Sequence, residues 1–261
     1  MNTFLFILSG FLGASIGSFI NVVIYRFGAS SVRNSRSICL SCGEHIRARD
    51  LVPIFSYVFL GGKCRGCKTK ISSQYIAVET GMTLLGFMVF LSLNGSEGIL
   101  YSISYIIYYV ILMALLVLIA VYDFKHKIIP DEFSFLFATL TFLGLFITVR
   151  GIQLPGIWDI LAGPILALPC ALFFFFSKGK WMGLGDAKLF LGVGFMLGLT
   201  LGVSAFILSF WIGAIVSIIL LKFPKSNYGM SSQVPFAPFI IAATLFVFFT
   251  KLDVFGLSLY L

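Results

Sequence analysis

Long runs of apolar residues, interrupted by short polar segments, extend over most of the chain. Several runs contain about 18 or more residues, the length that an α-helix needs to cross the hydrocarbon core of a bilayer. The run at residues 187–221 is too long for one crossing, and we expect it to divide between Gly198 and Gly202. The pattern therefore predicts about eight spanning helices. Their approximate ranges are residues 3–25, 74–93, 99–122, 132–149, 157–177, two segments within 187–221, and 234–250.

The amino-acid composition supports the same class of protein. Hydrophobic residues make up 59% of the chain and charged residues 11%, and the mean hydropathy is +1.06. A water-soluble domain of this size does not hide so much apolar surface. The first apolar run has no basic residue ahead of it and is too long for a signal peptide, so we interpret it as a retained first span. The sequence predicts an all-α polytopic membrane protein that is embedded in the lipid bilayer.

The longest polar segment, residues 26–73, lies between the first two predicted spans and holds nine of the eighteen basic residues. The positive-inside rule places such a segment in the cytoplasm. With eight spans, sixteen Lys and Arg residues then lie on the cytoplasmic side, and only Arg150 and Lys251 lie outside. Both termini lie outside, and Asp123 and Asp186 reach the same, cytoplasmic, face. The net charge of +8 therefore encodes topology, and we predict no nucleic-acid partner.

Four of the five cysteines lie in this polar segment as two Cys-x-x-Cys pairs, Cys39/Cys42 and Cys64/Cys67, with 21 residues between the pairs. Four thiolates at this spacing can hold one Zn²⁺ and stabilise a loop that is too small for its own hydrophobic core. A cytoplasmic location argues against stable disulfides; the alternative is two reduced or redox-active pairs. We predict a zinc-ribbon-like loop in which these four cysteines bind a structural Zn²⁺. Cys170 lies in an apolar run and is expected to be a packing residue.

Two aspartates lie at the edges of apolar runs. Asp123 ends the third predicted span, and Asp186 belongs to the stretch Gly183–Lys188. An ionisable group in such a position is costly and is a candidate for function. Two carboxylates held close together share one proton, so that one activates a water and the other protonates a carbonyl or a leaving amine. This is aspartic-protease chemistry. The alternative is structural, with Asp186 as a helix cap and Asp123 as the end of a helix.

The residues around these aspartates resemble the GxGD intramembrane aspartyl proteases and, more closely, their bacterial branch, the type IV prepilin leader peptidases. The GxGDxK motif of that family is matched at every fixed position, by Gly183, Gly185, Asp186 and Lys188. Asp123 corresponds to the other catalytic aspartate, since it precedes a loop that closes in Pro130-Asp131. Three further stretches agree in the same order along the chain, namely Gly17–Arg26, the four-cysteine stretch from Arg36 to Glu79, and Pro235–Phe239.

The resemblance implies a membrane aspartic endopeptidase with Asp123 and Asp186 as catalytic residues. Its expected substrates are prepilins or pseudopilins of a pilus, secretion or competence system, whose short basic leader is cut after a glycine. The expected location is the bacterial cytoplasmic (inner) membrane, with the active site at the cytoplasmic face. Many family members also methylate the new N-terminus with S-adenosylmethionine; no motif here identifies a methyl-donor site, and this activity stays open. The alternative from another class is a non-catalytic membrane transporter or an assembly scaffold.

The remaining expectations concern domain organisation and three charged residues. We expect a first transmembrane helix (1–25), a cytoplasmic four-cysteine loop (26–73) and a transmembrane protease core (74–261). Glu79 is expected to be a structural partner of a basic loop residue, with a substrate or methyl-donor site as the alternative. Asp131 is expected to cap the fourth span rather than to be a third catalytic acid. Lys188 is not expected to face Asp186, because residues two apart on a helix point in different directions.

Overall fold

The computed structural model describes residues 2–27, 37–39, 41–92, 99–148, 151–180, 182–222, 234–254 and 256. The elements are, in chain order, α1 (Asn2–Arg26), a short 3₁₀-helix (Ala48–Leu51), α2 (Phe55–Phe59), α3 (Ser73–Leu91), α4 (Ile99–His126), α5 (Asp131–Gly144), β1 (Ile147–Thr148), β2 (Gly151–Ile152), α6 (Ile157–Ser177), α7 (Leu184–Lys222) and α8 (Ala237–Thr250). The two strands form a small antiparallel ribbon in which Ile147 pairs with Ile152. In the described part of the chain, helices therefore provide nearly all of the regular structure.

Five of the described helices lie where spanning helices were predicted, and the helix at the fourth predicted span, α5, has only 14 residues. Within the described residues, α1, α3, α4, α6 and α7 are long and apolar enough to cross a membrane, and α8 is apolar but shorter. The all-α polytopic fold class is confirmed, and the chain is a multi-pass membrane protein. The prediction was wrong at the end of the fourth span, which was expected at residue 149, because α5 ends at Gly144. The β-branched residues Ile147 and Thr148 instead form strand β1 and pair with β2. β-Branched side chains favour this extended conformation.

The helix α7 is interrupted at Gly198. The backbone of this residue has φ 74° and ψ −178°, a combination that essentially only glycine adopts. The predicted division of the long apolar run is therefore confirmed at its first glycine. The part of α7 before the break carries Asp186 in its first turn, and the part after it continues to Lys222.

The chain forms two compact units, Met1–Leu118 and Ile119–Leu261. In the second unit, α7 packs against α5, α6 and α8. Gly194 of α7 lies so close to α6 that an added Cβ would be 2.6 Å from the carbonyl oxygen of Ala162. Small residues let membrane helices approach in this way. The close packing fixes the start of α7, where Asp186 lies.

In the first unit, α1 packs against α3. Gly13 of α1 leaves no room for a Cβ because the carbonyl oxygen of Met82 occupies that space. Near the end of α1, the Asn21 side-chain amide donates a hydrogen bond to the carbonyl of Tyr75 at 3.3 Å. Its amide oxygen accepts a second one from Gln74 Nε2, also at 3.3 Å. Close backbone packing and side-chain hydrogen bonds thus join the two helices that flank the four-cysteine loop.

Candidate active site and candidate metal centre

Asp123 lies in the last turn of α4 and is only 4% exposed. Its Oδ2 accepts a hydrogen bond from the backbone N–H of Ala237 at 3.1 Å. Ala237 is the first residue of α8, and the preceding Phe236 provides no side-chain cap. The carboxylate of Asp123 therefore satisfies an N–H group that has no partner within its own helix. The stretch Pro235–Phe239, which the sequence singled out separately, thus meets Asp123 in space.

Asp186 lies in the first turn of α7 and is 7% exposed. Its side chain interacts with the backbone of Gly183 and, through its charge, with Asp123. The structure thus brings together the two aspartates that the sequence identified, where the end of α4 meets the starts of α7 and α8. Charges interact more strongly away from water, and a buried carboxylate pair is the arrangement that paired acid–base chemistry requires. The catalytic roles of both residues stay a prediction.

The two glycines of the GxGD motif have different surroundings. A Cβ on Gly185 would lie 2.9 Å from Cβ of Ile129, in the loop that follows Asp123. A Cβ on Gly183 would meet no atom nearer than 3.7 Å, which is Oδ2 of Asp186. Packing of the loop against the start of α7 therefore requires glycine at position 185 but not at position 183.

Lys188 makes an ion pair next to the two aspartates. Its Nζ lies 2.7 Å from Oδ1 of Asp131 and 5.0 Å from the ring centroid of Phe135. The side chain of Asp131 is 61% exposed, so this residue is not part of the buried pair. The expectation that Asp131 caps the helix was wrong, because Pro130 occupies the N-cap position and Asp131 is the first helical residue of α5. The ion pair joins the Pro-Asp loop to the start of α7.

Sequence reasoning missed three groups around the pair. These are the N–H of Ala237, the side chain of Ile129 and the thiol of Cys170, which is fully buried on α6 and interacts electrostatically with Asp186. A signal existed for the first, because Pro238 marks the start of a helix whose first N–H groups need acceptors. Nothing local in the sequence points from Ile129 or Cys170 to the aspartates, since these contacts depend on how α4, α6 and α7 pack.

The two cysteine pairs of the first unit form similar turns. The N–H of Cys39 donates to the carbonyl of Glu44 at 2.9 Å, and the N–H of Cys64 donates to the carbonyl of Thr69 at 2.9 Å. Each turn is closed by a single bridge between extended residues, Ile38 with His45 and Lys63 with Lys70. The residues that follow each pair have positive φ angles; they are Gly43 (73°) and Lys68 (60°). The repeated geometry points all four thiols at one another.

The four sulfur atoms of Cys39, Cys42, Cys64 and Cys67 lie within 4.8 Å of one another. Those of Cys39 and Cys67 are 3.8 Å apart. Zinc bound tetrahedrally by four thiolates, with Zn–S bonds of about 2.3 Å, holds its sulfur atoms about 3.8 Å apart. The donor set therefore fits one Zn²⁺ ion, and the cluster supports the predicted zinc-ribbon-like loop.

An ion pair braces the second cysteine turn. Arg65 lies between Cys64 and Cys67, and its Nη2 and Nε donate to the carboxylate of Asp50 at 2.6 Å and 2.9 Å. This hydrogen-bonded contact with Arg65 lowers the pKa of Asp50 below its usual value. The pair thus ties the 3₁₀-helix to the turn that carries two of the four thiols.

Glu79 of α3 is 6% exposed. Its Oε2 accepts a hydrogen bond from the backbone N–H of Ile54 at 2.7 Å, and its side chain also interacts with Ser18 of α1. This hydrogen bond agrees with the expected structural role toward the loop. The expected kind of partner was wrong, because Glu79 binds a backbone N–H of the loop rather than a basic side chain.

Comparison with known proteins gives one consistent result. Residues 11–93 match the family described as the bacterial peptidase A24 N-terminal domain, and residues 110–218 match the type IV leader peptidase family. A prepilin leader peptidase/N-methyltransferase of Vibrio cholerae is 29% identical over 94% of this chain and 96% of its own length. Proteins of the same name from Pseudomonas putida (28% identical; 90% and 87% covered) and Bacillus subtilis (29%; 84% and 83%) are also similar. No solved structure matches the chain.

The first family match lies within the first compact unit, the second lies mostly within the second unit, and together they span most of the chain. This agrees with the resemblance inferred from the GxGD motif, and it confirms an enzyme of the peptidase class. It gives no support to the alternative of a non-catalytic transporter or scaffold. The chain therefore carries both the bacterial peptidase A24 N-terminal domain and the domain of the type IV leader peptidase family.

Proposed function

We propose that the chain is a membrane aspartic endopeptidase that removes the short basic leader of prepilins or pseudopilins by cutting after a glycine. The observation that carries the proposal is the buried pair Asp123 and Asp186, whose charges interact at the meeting point of three helix ends. The similarity to proteins named prepilin leader peptidases supports the substrate class.

In the proposed reaction the two aspartates share one proton. The ionised carboxylate takes a proton from a water molecule, whose oxygen attacks the scissile carbonyl carbon, while the protonated member gives its proton to the carbonyl oxygen. As the tetrahedral intermediate collapses and the C–N bond breaks, the leaving amine receives a proton from the protonated aspartate, and a hydroxyl group of the intermediate returns a proton to the ionised one, which restores the shared proton. The products are the leader with a new carboxylate and the mature protein with a new amino terminus.

The hydrogen bond from Ala237 gives Asp123 a fixed orientation. One carboxylate oxygen is held by the first N–H of α8, so that rotation of the carboxylate is restricted. A catalytic group held in the productive orientation contributes to rate because less entropy is lost on reaching the transition state. The stretch Pro235–Phe239 thereby acts as a positioning element in the proposed mechanism.

The zinc ion of the proposal is structural. Cys39, Cys42, Cys64 and Cys67 would hold it, and the bound metal would fix the fold of the loop between α1 and α3. The proposal keeps the division into a first transmembrane helix (1–25), the loop (26–73) and the protease core (74–261). N-methylation of the new amino terminus with S-adenosylmethionine belongs to it as a second activity, because the similar proteins carry both names.

The proposed site lies at the cytoplasmic face of a bacterial inner membrane. Sixteen of eighteen basic residues fall on the side of Asp123 and Asp186 when the spans are assigned as predicted, and cytoplasmic loops carry this excess. Leaders would accordingly be cut before the mature segment is exported.

A vesicle experiment tests the reaction and the membrane face together. The chain is expressed in a host that lacks a leader peptidase, and a synthetic prepilin leader peptide is added to sealed inside-out or right-side-out vesicles. We expect cleavage after the glycine, detected by mass spectrometry, only in the inside-out vesicles. With S-adenosylmethionine present, we expect the new N-terminus to be methylated.

The outcomes of this experiment separate the parts of the proposal. Cleavage in neither preparation, including detergent-opened vesicles, would contradict the peptidase assignment. Cleavage only in right-side-out vesicles would contradict the cytoplasmic face and leave the reaction intact. An unmethylated product in the presence of the donor would contradict the second activity alone.

Replacing Gly185 with alanine is expected to slow leader cleavage by a factor of about 10–100. The new Cβ would lie 2.9 Å from Cβ of Ile129, so the loop or the first turn of α7 must move, and Asp186 moves with that turn. Gly183→Ala is the matched control and should keep most of the activity, because its Cβ would meet no atom within 3.4 Å. Equal losses in both variants, measured as initial rates on purified protein, would argue against packing at Gly185 as the cause.

A further inference from the structure

The short helix α2 carries an exposed apolar face. Phe55, Val58 and Phe59 are 64%, 66% and 85% exposed, and Leu51 and Val52 just before the helix are 43% and 45% exposed. All five residues belong to the polar segment between α1 and α3 and not to a predicted span. A contiguous apolar surface of this kind marks a place where the molecule meets a partner or a membrane.

The opposite face of α2 is held by the loop itself. The hydroxyl of Tyr57 donates to the carbonyl of Ile71 at 3.4 Å, and its ring lies next to Gly62, where an added Cβ would be 3.0 Å away. The two faces of α2 therefore differ in their surroundings. Tyr57 fixes one side to the four-cysteine loop, and Phe55, Val58 and Phe59 point away from it.

The hydrogen bond between Ile54 and Glu79 sets the depth of α2 relative to a spanning helix. Glu79 is the seventh residue of α3, so its Cα lies roughly 9 Å along α3 from the first residue of that helix. Its side chain tilts back toward the start of α3 and holds Ile54 beside the first two turns. The full length of α3 is about 28 Å, close to the hydrocarbon thickness of a bilayer. The start of α2 thus lies beside the first two turns of a helix that is long and apolar enough to cross a membrane.

The aromatic residues at the span ends give the same depth. Tyr25 and Tyr75 stack with ring centroids 5.5 Å apart, at the end of α1 and the start of α3. Tyrosine is enriched at the level of the lipid headgroups. Glu79 lies one helical turn beyond Tyr75 along α3 and its side chain tilts back toward the start of that helix, so Ile54 and the start of α2 lie at about the level of these tyrosines.

A strained turn at Ile54 sets the direction in which α2 begins. Ile54 has φ 65° and ψ −56°, and the N–H of Phe55 donates to the carbonyl of Pro53 at 2.6 Å across it. This three-residue γ-turn is unfavourable for a β-branched residue and persists only where other contacts hold it. The half-buried hydrogen bond to Glu79 is such a contact. The turn redirects the chain from the 3₁₀-helix into α2 at the depth described above.

We propose that α2 is an interfacial membrane anchor, with Phe55, Val58 and Phe59 inserted among the acyl chains of the lipids. The loop would then be fixed to the bilayer at a third point, besides its covalent connections to α1 and α3. Lipid is the occupant that fits, because the face is apolar, lies at the depth of a span and belongs to a segment rich in basic residues, which favour anionic headgroups.

Tryptophan fluorescence in proteoliposomes tests the proposal. The three natural tryptophans are replaced in the variant Trp158→Phe/Trp181→Phe/Trp211→Phe, and Phe59→Trp introduces a single reporter. The reference is His45→Trp in the same background, at an exposed position of the first cysteine turn. Both are reconstituted in phosphatidylcholine–phosphatidylglycerol vesicles with or without bromine on the acyl chains, and zinc content verifies that the loop is folded.

We expect the reporter at position 59 to lose most of its fluorescence in brominated lipid and to be protected from iodide in the buffer. The reporter at position 45 should show the reverse. Three results would overturn the proposal. Quenching of position 59 by iodide alone would place α2 in water; protection from both quenchers would mean that protein covers the face; and equal bromine quenching at both positions would mean that the whole loop lies on the bilayer without a specific anchor.

Discussion

Asparagine in place of Asp123 or of Asp186 is expected to lower the rate of leader cleavage about 10²–10⁴-fold, the usual contribution of a general acid or base. Asparagine has nearly the shape of aspartate and cannot exchange the proton that the proposed mechanism moves. At position 123 its amide oxygen can still accept the hydrogen bond that Ala237 donates to Asp123 at 3.1 Å. The start of α8 should therefore keep its structure. The loss of cleavage rate should then reflect the missing proton transfer rather than misfolding. Initial rates on purified, monodisperse protein provide the measurement.

The matched control for both substitutions is Asp131→Asn. Asp131 lies in the same region and pairs with Lys188, but its side chain is 61% exposed, and exposed ion pairs contribute at most about 1 kcal/mol. We expect this variant to retain activity within a few-fold of the wild type. A loss as large as that of Asp186→Asn would make Asp131 part of the catalytic machinery and would contradict its assignment as a structural partner of Lys188.

The purified wild-type protein is expected to contain about one zinc ion per chain, since four thiolates complete a tetrahedral site. Replacing Cys67 with alanine removes one of four sulfur atoms that lie within 4.8 Å of one another, and we expect it to lose most of the metal. Because metal binding and folding are coupled in small zinc sites, the amides of residues 41–71 should exchange faster with deuterium in this variant. Elemental analysis and hydrogen-exchange mass spectrometry provide the two readouts.

Cys170→Ala is the control for the metal site. It makes the same chemical change at a cysteine that is buried on α6, and it should leave the zinc content unchanged. Wild-type protein that is purified without chelators and contains no metal would contradict the zinc site. So would a Cys67→Ala variant that keeps a full equivalent of zinc.

The parts of the fold that could be predicted are those that the bilayer dictates. A span must be apolar along its whole length, so the runs at residues 3–25 and 157–177 became α1 and α6 almost as predicted. The break at Gly198 was predictable because the run was too long for one crossing. The end of α5 could not be predicted, because the sequence of residues 146–149 is apolar enough for a helix. Only the pairing of Ile147 and Thr148 with Gly151 and Ile152 reveals a ribbon.

The candidate site was predictable in its ionisable residues and not in its contacts. The distribution of basic residues alone predicted that Asp123 and Asp186 lie at one membrane face, and the motif resemblance predicted that they act as a pair. Ala237 was not identified, because its contribution is a backbone N–H and any residue except proline at that position supplies one. The one signal was Pro238, which marks the start of a helix whose first N–H groups need acceptors. The partner of Glu79 could not be predicted for the same reason. Glu79 binds the main-chain N–H of Ile54, and the identity of residue 54 does not indicate this contact.

The central claim is that Asp123 and Asp186 act as one catalytic pair. The most direct test is the initial rate of leader cleavage by Asp123→Asn, Asp186→Asn and the double variant. All three are purified and assayed in the same way as the wild type. A pair that shares one proton loses its function when either member is lost, so the effects of such residues are not additive. We predict that both single variants are as slow as the double variant. A double variant whose loss equals the product of the two single losses, or a single variant that cleaves at the wild-type rate, would contradict the claim.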